Sequence, residues 1–538
     1  MLELASSKSG QPTARIKGIH LHSPYDPQKE ARRFLGESIQ QPNPSTILLL
    51  GAGLGHLYKE AVQSFPNAGV VVVFYHEALV ESNFSDPPHE MCWYPGKKAT
   101  LLQFLRSRIH ELEAEGLAVL EWPASARAFP QMSLQANEAL HQLFREIRGT
   151  LVTTAALGRR WLRNSLGNFL CIDEVFPPAG GGSERTPTVI AASGPSLKEG
   201  IDFLASHREQ IELWALPSSV DFLLSRGLRP DTVVITDASY YAFTHLRSAK
   251  DRRIHLTMPL SAARGSWRIA ARVSLVNQET PVEKLLLDGA GVRAPSIPAQ
   301  GTVAATAALL ALRLREAPVV FTGLDFCYRD ILSHVRPNNF ESWLEPESNR
   351  LLPLHHQLFS LAAEQAPTRQ GRIRRTLSLD TYAGWFGETG RAGENRIFRF
   401  LPSEIRLQGI VDIGPAELQR LMRNKDGRRR SREEAAHPVK LYPSRERREQ
   451  IVSTLLTRWV EETERLEAAV GATATLEPLM KDSAALTLLY LCNALELTEL
   501  RRTLRLKGQK EAADKSRRVL RNHILFLQQL RQGLGVRQ

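Results

Sequence analysis

The sequence predicts an α/β protein with a helical C-terminal part, and three observations lead to this fold class. Apolar segments that predict strands alternate with helical patterns through most of the chain. Two of these strands, at 189–192 and 319–322, run directly into glycine turns followed by polar residues. Beyond about residue 425, apolar residues recur at three- to four-residue spacing, which is typical of amphipathic helices. We therefore expect a mostly parallel sheet in the centre, covered on both faces.

Composition sets the limits within which the fold must lie. The chain has 538 residues, of which 43% are hydrophobic and 23% charged, so we expect a folded protein of two to four domains. Its four cysteines form no CxxC pair, which argues against a zinc site and a disulfide framework. With no signal-peptide pattern and no membrane-length apolar run, the sequence predicts a cytoplasmic protein without a membrane span. The net charge of +12 favours an anionic partner without identifying it.

The N-terminal domain, expected over residues 1–145, contains a β-loop-α-β pattern. Residues 1–45 predict irregular structure, and then an apolar strand (46–50) enters the turn Gly51-Ala-Gly53-Leu-Gly55. A helix and a second strand follow, and the strand ends at His76-Glu77. This order predicts a Rossmann-like domain. The glycines either form a nucleotide site with Glu77 on the ribose, or only let the helix pack close to the sheet.

A helical connector and a Gly-rich linker are predicted at 146–187, with Gly180–Ser183 as the clearest linker signal. The central catalytic domain is expected over 188–422. Its predicted strands are 188–192, 212–216, 232–236, 255–258, 273–276 and 319–322. The helical patterns between them include 198–208, 218–226 and 302–315.

The C-terminal part, residues 423–538, is predicted to begin with a basic segment and continue as a helical domain. Residues 423–448 hold ten Lys and Arg against four Asp and Glu, without an interleaved aromatic platform or a nucleic-acid motif. We interpret this segment as a solvated linker and expect no specific nucleic-acid partner. The helices are predicted at about 449–470, 476–507 and 510–532.

The turn Gly194-Pro195-Ser196 is the sharpest motif of the central domain. Glycine lets the backbone approach a ligand, and proline suits the first turn of a helix. Ser196 is positioned either to cap the helix or to contact a phosphate at its positive end. The alternative is a plain capped strand-to-helix turn without a ligand.

Polar residues also follow the other strands of this domain. Asp237 closes the third strand, where it is either a ligand-facing carboxylate or a helix cap. Gly323, Asp325, Tyr328 and His334 follow the strand at 319–322, and histidine is the natural general base near neutral pH. Because carboxyl ends of parallel strands share one edge of the sheet, we expect these residues in one crevice.

The segment around Gly301 and Thr302 opens another helix of this domain with small residues and an apolar run. The N–H groups at the start of that helix either face a phosphate or carboxylate, or belong to a buried small-residue helix. Together with the turn at Gly194, it adds a second helix N-terminus to the predicted crevice.

Several of these motifs together resemble those of the flagellar motility-associated factor (Maf) glycosyltransferases, over roughly residues 45–410. The segments that carry the resemblance are Gly51–His56, Ala192–Leu197, Gly227–Asp231, Gly301–Ala304 and Thr322–Asp325 with His334. The resemblance implies a sialyltransferase-like central domain that uses a CMP-activated nonulosonic acid such as pseudaminic acid. It further implies flagellin as partner, glycosylated on Ser or Thr in the cytoplasm of a bacterium.

By this resemblance the donor nucleotide is held at the turn Gly194, Pro195 and Ser196, and the ligand-binding set extends to Gly301, Thr302, Gly323 and Tyr328. The predicted catalytic residues are His334, as the base for the acceptor hydroxyl, and Asp237 and Asp325, which line the donor or acceptor site. Lys198 and the two helix N-termini stabilise the departing phosphate. One departure is Ser193, which stands where sialyltransferase-like motifs often carry Asn.

Two alternative functions stay open. The central domain also resembles archaeal 6-hydroxymethylpterin pyrophosphokinases, which would use ATP and Mg²⁺ held by paired carboxylates such as Asp237 and Asp325. The second alternative is a non-catalytic accessory protein that binds flagellin. For the glycosyltransferase the sequence predicts no metal ligands, and a requirement for a metal, with Mg²⁺ as the candidate, is left open.

Overall fold

The structure is a computed structural model that describes residues 2–40, 44–82, 85, 87–109, 111, 114–178, 186–250, 254–365, 368–370, 373–392, 396–401, 403–407, 409–423, 442–473 and 484–536. The predicted linker at Gly180–Ser183 and most of the basic segment at 423–448 lie outside the described residues. Both therefore stay predictions.

The secondary structure alternates between strands and helices in the order that the sequence predicts. The strands are β1 (Leu2–Ser6), β2 (Pro12–Ile16), β3 (Ile19–His20), β4 (Thr46–Leu50), β5 (Gly69–Val73), β6 (Cys92–Trp93), β7 (Leu117–Glu121), β8 (Thr188–Ala191), β9 (Glu212–Ala215), β10 (Thr232–Val234), β11 (His255–Met258), β12 (Arg272–Leu275), β13 (Val319–Thr322), β14 (Tyr328–Arg329), β15 (Thr368–Gln370), β16 (Ile373–Arg375), β17 (Ile397–Phe400) and β18 (Val411–Ile413). The helices are α1 (Pro27–Ser38), α2 (His56–Ser64), α3 (Ala78–Glu81), α4 (Leu101–Arg108), α5 (Pro123–Ala128), α6 (Pro130–Cys171), α7 (Leu197–Ser206), α8 (Val220–Ser225), α9 (Tyr240–Thr244), α10 (Pro281–Gly289), α11 (Val303–Leu314), α12 (Asn339–Leu344), α13 (Leu354–Gln365), α14 (Leu377–Ala392), α15 (Pro415–Arg423), α16 (Arg445–Thr473), α17 (Ala484–Lys507) and α18 (Gln509–Leu534).

The chain divides into two compact units. Unit 1 comprises residues 1–158 and 461–526, and unit 2 comprises residues 159–460 and 527–538. The predicted domain boundaries at 145, 187 and 422 stay predictions.

Unit 1 contains a four-stranded sheet in the order β6-β5-β4-β7, with every pair parallel. The strands β4 and β5 are apolar and buried, because helices cover a parallel sheet on both faces. The β4-turn-α2-β5 order matches the β-loop-α-β pattern of the sequence. The Rossmann-like character of this region is therefore confirmed.

The first 45 residues are more regular than predicted. β1, β2 and β3 form an antiparallel sheet, and α1 follows with Asp26 as its N-cap and Pro27 in its first turn. The prediction of irregular structure was wrong, since the first turn of a helix accepts proline and Pro27 therefore does not prevent α1. The β2–β3 connection uses positive φ angles at Lys17 and Gly18, which suit a tight hairpin turn.

Unit 2 is built on an eight-stranded sheet in the order β12-β11-β10-β9-β8-β13-β17-β18, and all neighbours are parallel. The chain proceeds outward from β8 to β12 on one side and from β13 to β18 on the other. The strand order therefore reverses between β8 and β13, which places the topological switch point there. In open α/β sheets such a crevice, outside the carboxyl ends of the strands, is where ligands bind.

The predicted α/β fold class, with its parallel sheet, is confirmed, and all six predicted central strands are present within two residues of their predicted bounds. The sequence missed β17 and β18. β17 contains a charged residue, Arg399, whose side chain is only 1% exposed and is paired with Asp412 of β18 at 2.6 Å. A strand with a buried charge does not show the continuous apolar run that predicts a central parallel strand.

The helical character of the C-terminal part is confirmed by α16, α17 and α18. Residues 476–483, the start of the second predicted helix, lie outside the described residues. Within the described ranges, none of the helices combines the length and the apolar character that a membrane crossing requires.

Candidate functional site

A cavity of about 920 Å³ opens at the switch point of the unit 2 sheet. It lies beyond the carboxyl ends of β8, β9, β10 and β13, and the turns that follow these strands form much of its wall. Of the predicted site residues, it is lined by Gly194, Asp237, Thr302, Gly323, Asp325, Tyr328 and His334. A volume near the upper end of the usual range of roughly 300–1,000 Å³ suits a ligand of nucleotide-sugar size.

The turns after β8 and β13 are joined by backbone hydrogen bonds. The N–H of Gly194 donates to the carbonyl of Gly323 at 2.8 Å. A Cβ on Gly194 would lie 2.5 Å from both that carbonyl oxygen and Oδ2 of Asp325, and Gly323 has a positive φ of 70°. Glycine is therefore required at both positions by close approach and by backbone conformation.

Asp325 holds the start of α7. Its Oδ2 accepts the backbone N–H of Ser196 at 2.8 Å, and its Oδ1 accepts the Ser196 hydroxyl. Ser196 is 3% exposed and Asp325 5% exposed. The chain's own carboxylate thus lies at the positive end of α7, where the resemblance places the donor phosphate.

Several residues predicted to hold the donor nucleotide or its departing phosphate do not line the cavity. Pro195 is buried behind the turn, and Gly301 lies next to Tyr382, while Lys198 is exposed outside the cavity. Ser196 is likewise absent from the lining, because it faces Asp325 instead. Ser193 does line the cavity, and its hydroxyl accepts a hydrogen bond from Ser218 at 2.8 Å.

Asp237 is exposed in the cavity wall and also organises its own loop. Its Oδ1 accepts the N–H of Ser239 at 2.7 Å, and the Ser239 hydroxyl in turn caps α9. The two interpretations of Asp237 are therefore compatible, since a carboxylate has capacity for more than one hydrogen bond. One oxygen supports the turn while the residue lines the cavity.

Two histidines lie together in the cavity. Burial lowers the pKa of His334 to about 4, with a further lowering from the nearby His245. Burial also lowers the pKa of His245, although Asp221 and Asp237 act in the opposite direction. His334 Nδ1 is 2.8 Å from the Ser333 hydroxyl, so Nε2 is the nitrogen left to meet a ligand. Both imidazoles are neutral at pH 7, the protonation state that a general base requires.

A second helix N-terminus faces the cavity. Thr302 caps α11 by accepting the N–H of Ala305 on its hydroxyl at 3.1 Å, and Thr302, Val303 and Ala304 line the wall. The N–H groups of Val303 and Ala304 belong to the first turn, which has no intrahelical acceptors. This helix end therefore offers donors and a positive dipole to an anionic ligand group.

The remaining wall contains groups that stay protonated at neutral pH. Burial raises the pKa of Tyr328, and burial followed by the neighbouring Asp325 raises the pKa of the Cys327 thiol to about 11. Cys327 is therefore a neutral thiol and not a nucleophilic thiolate. Tyr328 is held in β14, which pairs with β16.

Sequence reasoning missed several lining residues, among them His245, Tyr241, Ser218 and Tyr382. His245 carries the most chemistry and follows directly after α9, eight residues beyond Asp237. It is the C-cap of a five-residue helix, and no local pattern in the sequence marks this position as part of a site. Tyr382 comes from α14, far along the chain, and no local pattern in the sequence brings it to this cavity.

The glycine turn of unit 1 is occupied by the protein's own side chains. A Cβ on Gly53 would lie 2.3 Å from Nε2 of His22, and one on Gly51 would lie 2.7 Å from Ser125. His22 Nε2 accepts the N–H of Leu54 at 2.9 Å, and burial lowers its pKa to about 3. This arrangement supports the structural interpretation of the turn.

A metal site is not evident among the described residues, where His, Cys, Asp and Glu side chains form no group of three or more that could hold an ion. Both oxygens of Asp325 accept hydrogen bonds from Ser196. The residues present thus do not fit a Mg²⁺ site made by Asp237 and Asp325.

The fold and the cavity define an α/β protein with a ligand site at the switch point of a parallel sheet. In solved structures this chain is similar to the MAf glycosyltransferase from Magnetospirillum magneticum AMB-1, with a TM-score of 0.56 and 12% sequence identity. The likeness covers 100% of this chain and 93% of that one. The resemblance to Maf glycosyltransferases is thereby confirmed as one of fold.

Residues 164–330 match the family model for 6-hydroxymethylpterin diphosphokinase MptE-like proteins. Among curated proteins, the chain is similar to three uncharacterized proteins of Treponema pallidum (strain Nichols). They are 28% identical over 118 residues, 23% over 296 and 29% over 198 (22%, 53% and 34% of this chain). The chain spans 56%, 60% and 34% of the length of these relatives.

Proposed function

We propose that this protein is a glycosyltransferase that moves a nonulosonic acid from a CMP donor to Ser or Thr hydroxyls of flagellin in the cytoplasm. The observation that carries the proposal is the switch-point cavity, in which two neutral histidines and the N-terminus of α11 face the same space. The fold likeness to a MAf glycosyltransferase supports a transferase. The CMP donor, the flagellin acceptor and the cytoplasmic location are the parts that we add as a proposal.

In the proposed reaction, the acceptor oxygen attacks the anomeric carbon of the donor sugar. The new C–O bond forms as the bond from that carbon to the CMP phosphate oxygen breaks, and CMP leaves with the electron pair. The hydroxyl proton passes to Nε2 of His334. This nitrogen holds a lone pair when Nδ1 donates to Ser333, and the low pKa of His334 keeps the ring neutral beforehand.

The departing phosphate carries the developing charge. The first-turn N–H groups of α11 are the donors that we assign to it, because a helix N-terminus stabilises an anion without a metal. Asp237 and His245 lie next to His334 in this arrangement. Because His245 lowers the pKa of His334, His245 is assigned no charge in this step, and the proposed role of Asp237 is to line the donor or acceptor site and offset that repulsion.

Diphosphate transfer to a hydroxymethylpterin is the second candidate, favoured by the family-model match over 164–330. That chemistry needs carboxylates for Mg²⁺ and positive groups around the transferred phosphates. Asp325 is engaged with Ser196, and the described lining includes no lysine or arginine. These contacts favour glycosyl transfer over phosphoryl transfer.

The two candidates are separated by ligand binding to the full chain. We expect CMP at millimolar concentration to raise the unfolding temperature and to shift NMR signals of the protein, while ATP with Mg²⁺ does neither. A response to ATP with Mg²⁺ but not to CMP would replace the glycosyltransferase by the diphosphokinase.

Mass spectrometry of flagellin tests the acceptor. Flagellin from cells that contain this protein should carry Ser- or Thr-linked mass equal to a nonulosonic acid, and flagellin from deletion cells should lack it. Restoration by the wild-type gene but not by His334→Ala would assign the loss to the cavity. Full restoration by His334→Ala, with flagellin still bound, would instead indicate an accessory role.

A further inference from the structure

An exposed cluster of aromatic side chains adjoins the cavity, and we name Tyr240, Tyr241 and Trp343 the aromatic platform. The Trp343 ring lies edge-on to both tyrosines, with centroids 6.1 Å from Tyr240 and 5.8 Å from Tyr241. Tyr240 is 58% exposed, Tyr241 61% and Trp343 36%. Contiguous exposed aromatic groups are unusual on soluble proteins and mark interaction surfaces.

The platform is continuous with the cavity on the α9 side. Tyr241 itself lines the cavity, and α9 begins at the turn organised by Asp237 and Ser239. Tyr240 and Trp343 are outside the lining. A ligand in the cavity therefore meets Tyr241, and a molecule that approaches from solvent on this side meets Tyr240 and Trp343.

Hydrogen bonds fix the platform relative to the proposed base. The Asn339 amide at the start of α12 donates to the carbonyl of Thr244, which joins α12 to α9. Asn338 caps α12 and donates to the carbonyl of Val335 at 3.0 Å. The N–H of Val335 donates to the carbonyl of Ser193 at 2.7 Å. The segment from His334 to Trp343 is thus tied both to the β8 turn and to α9.

We propose that the aromatic platform docks the polypeptide segment that carries the acceptor hydroxyl. This inference rests on the proposed function, in which the donor occupies the cavity and the acceptor hydroxyl reaches it from solvent. Tyr and Trp provide large contact areas with little loss of side-chain entropy and are enriched among the residues that dominate protein–protein binding. The matching chemistry is an exposed segment with apolar side chains next to its Ser or Thr.

The test measures two ligands on the same full-length variants. Monomeric flagellin and CMP are each titrated against wild type, Tyr240→Ala, Trp343→Ala and the control Phe359→Ala. Phe359 is an aromatic residue of unit 2, 49% exposed, that does not line the cavity. We expect the flagellin Kd to rise about tenfold or more in both platform variants and to stay unchanged in the control. The CMP Kd should stay within about twofold throughout, as substitutions outside a contact region have small effects.

The outcomes test the platform and the proposed glycosyltransferase separately. Unchanged flagellin binding in both platform variants, or no flagellin binding by wild type, overturns the platform. A CMP Kd weakened more than about twofold with normal flagellin binding also overturns it, because the rings would then contact the donor nucleotide. Wild type that binds flagellin through the platform but does not bind CMP retains the platform and rejects the glycosyltransferase. Unfolding temperatures of the variants, expected near wild type, separate these results from misfolding.

Discussion

The glycine turn of unit 1 and that of unit 2 begin alike and end differently. Each follows a buried parallel strand, β4 or β8, and leads into a helix, α2 or α7. In each, a side chain from elsewhere accepts a backbone N–H near the start of the helix. In unit 1 this side chain is His22, which bonds to Leu54, and in unit 2 it is Asp325, which bonds to Ser196.

The two glycine turns differ in what surrounds them. In unit 1, His22, Tyr75 and Ser125 lie where a ligand would otherwise approach the glycines. In unit 2, Asp325 already accepts the N–H group at the start of α7. A cavity opens beside this turn, and the N-terminus of a second helix, α11, faces it. A strand-glycine-helix pattern therefore does not by itself define a ligand site. The open space comes from the reversal of strand order between β8 and β13.

The largest expected effect is a loss of transfer activity when the cavity of unit 2 is altered. His334→Ala should lower sugar transfer about 10²- to 10⁴-fold, the usual contribution of a general base, and leave the CMP Kd near its wild-type value. Because the pKa of His334 is about 4, wild-type kcat/KM should stay level from neutral pH and fall only as the pH approaches 4. Initial rates with a CMP-sugar donor and flagellin, measured across pH, check both points.

The control for this substitution is His207→Ala, since His207 is a histidine of unit 2 outside the cavity lining. It should keep wild-type rates at every pH. An His334→Ala variant that keeps both its rate and its acid limb would show that another group takes the proton.

The sequence predicted the sheet of unit 2 because its buried parallel strands are continuous apolar runs, as in Val319–Thr322. It failed at β17, where a buried Arg399 interrupts the run and is balanced by Asp412. That balance depends on strand pairing, which local pattern does not contain. Residues 1–45 were mispredicted for related reasons. β1 and β2 depend on pairing with each other, and α1 has a proline in its first turn, a position that accepts it.

For the candidate site, the sequence predicted the residues that follow strand ends, because parallel strands deliver them to one edge. Asp237, Gly323 and His334 meet at the cavity for this reason. The contact between Ser196 and Asp325 joins residues 129 apart in the chain, so the local sequence around either residue does not predict it. His245 was missed since its importance comes from its neighbour in space, His334.

A second prediction tests the closed turn of unit 1. Gly53→Ala should lower the free energy of unfolding by about 2–4 kcal/mol, because a positive φ is unfavourable for alanine and the hydrogen bond from Leu54 to His22 is disrupted. The Cβ would lie 2.3 Å from the His22 ring. CMP binding should be unchanged if the chemistry belongs to unit 2 alone. Denaturant unfolding and calorimetry measure the two quantities.

Gly10→Ala is a matched control, because Gly10 also has a positive φ, of 78°, and a Cβ there has no neighbour within 4 Å among the described atoms. Its cost should be limited to the backbone strain of about 1–2 kcal/mol. Equal losses for the two variants would contradict the packing role of His22. Loss of CMP binding in Gly53→Ala with an intact fold would reopen the turn as a nucleotide site.

The smallest effect concerns Asp325, whose predicted catalytic role and observed contacts lead to different results. If the carboxylate mainly holds the start of α7, Asp325→Asn should cost about 1–3 kcal/mol of stability, as for a lost charge-assisted hydrogen bond. Ser196→Ala removes the hydroxyl partner, and the double variant should cost less than the sum. We expect a coupling energy of about 0.5–3 kcal/mol in the double-mutant cycle, measured by denaturant unfolding.

Transfer rates on the same three variants decide between the roles. A positioning residue acts through the turn, so Ser196→Ala and Asp325→Asn should lower the rate by similar factors and chiefly through the donor KM. A catalytic carboxylate would instead give a large loss of kcat in Asp325→Asn alone. The losses of stability of the two single variants would then add in the double variant. The first result would make the turns of the two units equivalent in construction, each closed by one distant side chain. The chemical difference between them would then reside in the cavity wall formed by Asp237, His245, His334 and α11.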